Sequence, residues 1–275
     1  MASQDLSSDA RAVGPVPPPP KRTLLSQSLD LLIFGGVALL LVASFQAAEI
    51  FKFPLLFQNS ANTQQFLADF MRPDFGDWRL YAEKMWLTIQ IALWGTFLAV
   101  ILAVPFGLMC SRNIAPAWMV QITRRVMDIL RSVNELVMGT AFLVAVGLGP
   151  FAGVMALALH TAGVLGKLFS EAVEAIDPRP AEGVRATGAS GLQEIVWGVL
   201  PQVAPLWTSY ALYRFEANAR SATVLGLIGA GGIGQVLFDN LNSFDYGKVS
   251  AIAIIIVIAV SLIDMLSQAL RKRLL

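Results

Sequence analysis

Hydrophobic residues in this chain are gathered into six long stretches, which are separated by shorter polar segments. Each stretch is close to the roughly 20 residues that an α-helix needs to cross the hydrocarbon core of a bilayer. The third, fourth and fifth stretches are interrupted by charged residues, which are costly in a helix that faces lipid. The pattern predicts an all-α membrane protein with about six transmembrane helices, at 29–47, 86–109, 126–146, 151–173, 201–228 and 249–269.

The composition indicates the same class of protein. Hydrophobic residues make up 56% of the 275 residues and charged residues only 14%, whereas soluble domains carry about 25% charged residues. Residues 1–24 differ from the rest, because they are polar and include four consecutive prolines, Pro17 to Pro20. Such a segment cannot bury enough apolar surface to fold. We therefore expect a disordered N-terminal tail over 1–24 and a transmembrane domain over 25–275.

Basic residues outside the predicted spans are distributed unevenly between the two sides of the membrane. Most of them, including Arg124, Arg185 and Lys272, fall on the side that also carries both chain termini. Cytoplasmic loops of membrane proteins are enriched in lysine and arginine. Both termini, and the polar loop between the fourth and fifth spans, are therefore predicted to be cytoplasmic.

Charged side chains inside the predicted spans should face protein or water, because each costs at least about 2.5–3.5 kcal/mol at the bilayer centre. Two alternatives remain open. Either these side chains form ion pairs between packed helices, which we favour for the group around Lys167, or they line a water-filled path for a charged solute. Pairs with the helical spacing of four are Arg131/Glu135, Lys167/Glu171 and Glu216/Arg220. The candidate residues of a translocation pathway are Arg131, Asn134, Glu135, Arg214, Glu216 and Arg220.

A glycine cluster at the end of the fifth stretch has the form G-x-G-x-x-G, which is also the fingerprint of dinucleotide-binding proteins. That fingerprint requires a preceding strand and an acidic residue about 20 positions further on. Here a hydrophobic span precedes the cluster and Ile254 stands in an apolar run. We therefore exclude nucleotide binding and predict that the glycines break the fifth helix at its outer end, as a candidate gate. The gate candidates are Gly229, Gly231, Gly232 and Gly234.

The polar loop between the fourth and fifth spans has an ordered pattern, from Glu182 to Gly188 and then to Leu200 and Pro201. Gly188 can end a short helix, and Pro201 can begin the next one. The pattern resembles the cytoplasmic coupling loop of ABC importer permeases. Two alanines of the family pattern are replaced by Gly183 and Val184, and Gly198 stands where isoleucine is usual. By this resemblance the residues that couple to an ATPase are Glu182, Gly183, Arg185, Ala186, Gly188, Leu200 and Pro201.

Several further segments are similar to the permease subunit of phosphonate ABC importers, which belong to the binding-protein-dependent type I importers. The similarity extends from about Phe66 to the C-terminus. The segments that carry it are Arg131–Glu135, Val146–Gly153, Ser170–Ile176, Glu182–Ala189 and Tyr213–Thr223, followed by the glycine cluster.

The resemblance implies a homodimeric six-helix permease of the bacterial inner membrane, with a cytoplasmic coupling helix, two cytoplasmic ATPase subunits and an external binding protein. ATP and magnesium would bind the ATPase, so we expect no catalytic residue, metal site or cofactor in this chain, and no nucleic acid. His160, the one histidine, has no partner cluster that would suggest a metal. The expected cargo is a phosphonate-type anion. Alternatives are an importer of phosphate or phosphite, and an ion-coupled secondary carrier, which leaves the coupling pattern unexplained.

Overall fold

The computed structural model describes residues 24–55 and 60–274, so nearly all of the predicted tail, 1–24, lies outside the described residues. Every longer element in the described part is an α-helix. Two turns of π-helix, Ile195–Val199 and Gly226–Ala230, adjoin the ninth helix. The helices are α1 Leu24–Ala47, α2 Ser60–Phe70, α3 Trp78–Cys110, α4 Ala117–Ser132, α5 Glu135–Val146, α6 Pro150–Glu174, α7 Pro178–Ala186, α8 Gly191–Glu194, α9 Leu200–Leu225, α10 Ile233–Asn242 and α11 Tyr246–Leu274.

Four of these helices, α1, α3, α6 and α11, are individually long and apolar enough to cross a membrane. Two bent pairs raise the number to six when each pair is counted as one span. Helices α4 and α5 meet at 88°, and the helix that ends at Ala230 meets α10 at 58°. The prediction of about six spans is therefore confirmed. The third span, however, is not the continuous helix that the hydrophobic pattern predicted over 126–146.

The break between α4 and α5 has a local cause. Val133, which ends α4, has an extended backbone with ψ of 122°. Asn134 then caps α5, because its side-chain oxygen accepts a hydrogen bond of 2.9 Å from the backbone N–H of Leu136. Asparagine is among the most favoured residues at this position. A hydrophobic window averages over such a cap and therefore misses the bend.

The chain divides into two compact units, 1–63 and 64–275. In the first, α1 exposes large apolar side chains such as Leu31, Phe34 and Val42. In the second, α6 packs against α3, α4, α5 and α9. The contact between α3 and α6 is close because the residues are small. A Cβ atom added at Gly95 would lie 2.8 Å from the Cβ of Leu157. Small residues of this kind let membrane helices approach each other.

A buried polar node joins the three central helices of this unit. The Thr161 hydroxyl on α6 donates to the Asn218 side-chain oxygen on α9 at 2.9 Å. The Asn218 amide donates in turn to the Thr96 hydroxyl on α3 at 2.8 Å. Thr96 completes the chain by donating to the backbone oxygen of Ala92. Because buried polar groups are costly without partners, these bonds fix the register of α3, α6 and α9.

Candidate functional site

The loop that resembles a coupling loop folds as the short helix α7 and the turn that follows it. Asp177 caps the helix, since its side chain accepts a hydrogen bond of 3.0 Å from the N–H of Arg179, and Pro178 occupies the first turn. Gly188, just after the helix, has φ of +82° and donates its N–H to the Arg185 carbonyl. The prediction that Gly188 ends a short helix is confirmed.

Two contacts hold α7 against the segment that leads into α9. The Arg185 guanidinium forms a two-point ion pair with Glu194, at 2.9 and 2.5 Å, and this carboxylate raises the pKa of Arg185. The second contact is at Gly198, where an added Cβ would lie 2.7 Å from the Cα of Ala181. The isoleucine that is usual in the family pattern would not fit there, so Gly198 allows α7 to lie close to the π-helical turn.

The surface of α7 beside this anchor is open. A groove of about 640 Å³ follows the helix, and a Cβ added at Gly183 would meet no atom within 4 Å. Trp197, 71% exposed, forms one wall. Leu200 and Pro201 lie beyond the groove in the first turn of α9. The groove is lined by Pro180, Gly183, Val184, Thr187, Gly188, Ala189, Gln193 and Trp197.

The expected ion pair between Arg131 and Glu135 is not formed, because the break at Val133 and Asn134 separates the two residues. Arg131 instead lies 3.1 Å from Asp128 on its own helix. Similarly, Lys167 contacts Asp128 at 3.3 Å rather than Glu171. The contact between Lys167 and Asp128 ties α6 to α4, which agrees with the structural role that we favoured for the group around Lys167.

Glu135 connects the bend to two other helices. One of its oxygens accepts a hydrogen bond of 2.6 Å from the Ser221 hydroxyl on α9, and the other lies 3.3 Å from Nε2 of His160 on α6. The opposite ring nitrogen of His160 is 3.0 Å from the carbonyl oxygen of Val133. Because a carbonyl oxygen can only accept, Nδ1 of His160 is the donor in this contact. No pattern in the sequence indicated the role of Ser221, which lies on a distant helix.

The pair Glu216 and Arg220 is formed as predicted, with a distance of 2.9 Å. Glu216 is buried and lies 3.7 Å from a second guanidinium, that of Arg271 at the end of α11. Arg214 differs from both arginines. It has no ion pair among the residues that the structure describes, and its Nε is buried without a hydrogen-bond acceptor. Of the predicted pathway residues, Arg214 therefore keeps donors that no described side chain uses.

The glycine cluster breaks the ninth helix, as predicted. Gly229, Gly231 and Gly232 have φ of 106°, 80° and 76°, a region that favours glycine. Gly234 has a different role, since a Cβ there would overlap the carbonyl oxygen of Thr223. The segment is attached to α3 by Thr88, whose hydroxyl accepts a 2.9 Å hydrogen bond from the N–H of Ile233. No periodic pattern could indicate this long-range cap.

The chain is similar to known transport proteins. The model of the family described as "Binding-protein-dependent transport system inner membrane component" matches residues 103–275. The phosphite transport system permease protein PtxC of Stutzerimonas stutzeri is 42% identical over 74% of both chains. The "Putative cryptic phosphonate transport system permease protein PhnE2" of Escherichia coli K12 is 59% identical over 43% of this chain and 97% of that protein. The phosphate-import permease protein PhnE of Mycolicibacterium smegmatis is 39% identical over 68% of this chain, but over only 36% of its own length.

The fold is shared with a solved structure, the inward-facing MetNI methionine ABC transporter. Its TM-score is 0.64 at 19% sequence identity, over 74% of this chain and 99% of that chain. This likeness identifies the type I ABC importer permease fold. Together with the family match, it shows that the chain belongs to the binding-protein-dependent transport system inner membrane components.

Proposed function

We propose that this chain is the transmembrane subunit of an ATP-driven importer that carries a phosphonate or a related phosphorus oxyanion into the cytoplasm. Helix α7 carries the proposal for ATP-driven import, because it is capped, anchored and open on the side of the groove. The solute class is supported by the relatives, whose names give phosphite, phosphonate and phosphate. The two lines of support are independent of each other.

The partners follow from the family. Its transport depends on a binding protein, which we place on the outer side of the membrane. We further propose two copies of this chain and two cytoplasmic ATPase subunits, which bind ATP and magnesium. Both termini are then cytoplasmic, in agreement with the distribution of basic residues.

Helix α7 is suited to transmit movement of an ATPase to two membrane helices. It follows α6 directly, and the bond from the Gln202 side chain to the Asp177 carbonyl, at 3.2 Å, also connects it to α9. The Arg185–Glu194 pair adds a second link to the segment before α9. Closure of the ATPase dimer would therefore displace α6 and α9 together. Among the proposed coupling residues, Glu182, Gly183 and Ala186 lie on α7 itself. Leu200 and Pro201 begin α9, one of the two helices that α7 would displace.

The proposed pathway carries the anion past Arg131, Asn134, Glu135, Arg214, Glu216 and Arg220. Arg214 is the leading candidate, since a guanidinium with free donors binds phosphorus oxyanions through its planar fork. Glu135 and Glu216 lower the positive potential nearby. This is useful because an anion that binds too tightly cannot leave.

The glycine segment is proposed as the outer gate, with Gly229, Gly231, Gly232 and Gly234 as its flexible and closely packed positions. Its attachment to Thr88 would have to loosen when the gate opens. Cysteine pairs placed across the dimer at this segment should block uptake once they are cross-linked. Unimpaired uptake after complete cross-linking would exclude the gate.

The test of the function is uptake into proteoliposomes that contain this chain, its ATPase and its binding protein. Labelled 2-aminoethylphosphonate is supplied with or without an excess of unlabelled phosphate. ATP-dependent uptake that phosphate barely inhibits would support a phosphonate importer. Strong inhibition, with labelled phosphate also carried, would favour the second candidate, a phosphate or phosphite importer. Uptake driven by an ion gradient without ATP would contradict both.

A further inference from the structure

A basic groove lies on the surface between α4, the end of α3 and α6. Its volume is about 580 Å³, and its walls carry four cationic side chains but only one carboxylate. Grooves with such an excess of one charge attract ligands of the opposite charge. The residues that line the basic groove are Arg112, Gln121, Ile122, Arg124, Arg125, Asp128 and Lys167.

Two of the four cations are already used by the protein. Arg124 forms an ion pair of 2.6 Å with Glu174, and Lys167 contacts Asp128. The side chains of Arg112 and Arg125, by contrast, are exposed and have no ion pair within the described residues. The basic groove therefore presents two uncommitted guanidiniums, each able to donate two parallel hydrogen bonds to one phosphate.

An apolar stripe borders the basic groove along the same helix. Trp118, Ile122, Val126 and Ile129 follow one another at helical spacing on α4 and are 64%, 58%, 40% and 63% exposed. The opposite face of α4, with Met127 at its centre, is buried. Ile122 belongs both to the stripe and to the wall of the basic groove. The free cations and the exposed apolar side chains are thus parts of one continuous surface.

We propose that this surface binds an acidic phospholipid, with the headgroup phosphate between Arg112 and Arg125 and an acyl chain along the stripe. A free phosphorus oxyanion would use only the guanidiniums, whereas a phospholipid uses both parts of the surface. Amphipathic helices with basic residues beside an apolar face bind membranes in this way, and basic pockets of membrane proteins bind anionic headgroups. The proposal does not depend on the transported solute.

Quenching of tryptophan fluorescence tests the proposal with the full chain in a neutral detergent. The chain is titrated with phosphatidylglycerol or phosphatidylcholine that carries bromine on the acyl chains. We expect phosphatidylglycerol to quench at about tenfold lower concentration. The difference between the two lipids should disappear in Trp118→Phe. This variant loses the tryptophan on the stripe and keeps the five that lie elsewhere in the chain. Equal quenching by the two lipids would overturn the proposal.

The role of the two free guanidiniums is tested with the double variant Arg112→Gln/Arg125→Gln. Its fluorescence should be quenched equally by both lipids. The matched control Lys272→Gln/Arg273→Gln removes two exposed cations from the end of α11 and should keep the preference. If the control loses the preference as well, the attraction is general and the site is excluded. The single variant Arg125→Gln should already weaken the preference for phosphatidylglycerol. Arg125 has no ion pair with a described residue, so this substitution breaks none. Millimolar phosphate that displaces phosphatidylglycerol would identify a small-oxyanion site instead.

Discussion

Helices α3 and α6 run without a break for 33 and 25 residues, whereas the α4/α5 and α9/α10 pairs bend by 88° and 58°. Glycine has different roles in the α3/α6 pair and in the α9/α10 bend. Along α3 and α6, glycine brings two regular helices close together, as at Gly95. In the α9/α10 bend, Gly229 and its neighbours supply backbone angles that other residues rarely adopt. One residue type thus builds a rigid pair in one place and a bend in another.

The polar groups show the same contrast. Thr96 on α3 and Thr161 on α6 are buried, and both are bonded to the buried Asn218 of α9. Glu135, at the α4/α5 bend, is charged and contacts both α9 and α6. Bends between rigid elements are where conformational change is concentrated in proteins that switch. We therefore expect α3 and α6 to move as one unit, with rearrangement of the bends around them.

The largest effect is expected for Gly234→Ala, at the α9/α10 bend. The new methyl group would overlap the carbonyl oxygen of Thr223, so the backbone must shift. Overpacking of this kind costs about 1–3 kcal/mol or more. We expect a large fall in the yield of folded protein and in its unfolding temperature in detergent. Gly191→Ala is the control, because its methyl group would meet no atom within 4 Å. Similar stability of the two variants would contradict the close packing of the bend.

Arg214→Ala should reduce ATP-driven uptake about tenfold, since a hydrogen bond to a charged group contributes about 1.5–3 kcal/mol. Assembly with the ATPase should be unchanged, as Arg214 has no ion pair with a described residue. Arg220→Ala is expected to reduce uptake less, because Glu216 already neutralises Arg220. Wild-type uptake in both variants would remove these arginines from the pathway.

Asn218→Leu tests the rigid region and should destabilise the protein by about 1–2 kcal/mol, because it leaves the hydroxyl of Thr161 without its acceptor. Uptake per folded molecule should change little. The measurement is unfolding in detergent, with Thr208→Val as the control, since Thr208 is exposed and bonds only to its own helix. If Asn218→Leu lowered uptake more than stability, the polar node would belong to the moving part.

The smallest change in stability is expected for Gly188→Ala, which places a side chain at φ of +82°, a region that favours glycine. The strain is local to the exposed end of α7, so unfolding of the helix bundle should be nearly unaffected. Stimulation of the ATPase by the binding protein should fall a few-fold. Full stimulation would separate the end of α7 from coupling.

Local signals made much of this architecture predictable. The length of the apolar stretches indicated the number of spans, and Gly188 correctly marked the end of a short helix. Spacing of four residues succeeded for Glu216 and Arg220, which lie on the continuous helix α9. It failed for Arg131 and Glu135, because a cap at Asn134 interrupts the helix between them.

Long-range contacts could not be predicted in this way. The partners Thr88 and Ile233 are 145 residues apart in the sequence, and Glu135 and Ser221 are 86 residues apart. Their pairing depends on how helices pack, and a single sequence contains no direct record of that. The role of Gly198 could not be predicted either, because Gly198 meets Ala181 only once α7 has folded.

The contact between Gly198 and Ala181 has a consequence for engineering. Helix α7 and the turn beneath it fit each other as a matched pair. In a permease with isoleucine at the equivalent of Gly198, α7 must pack against a larger side chain. If that α7 alone were transferred to this chain, it would not match the surface at Gly198. The interchangeable module is therefore the whole block from Asp177 to Gln202, and exchanging it intact offers a route to fitting this permease to a foreign ATPase.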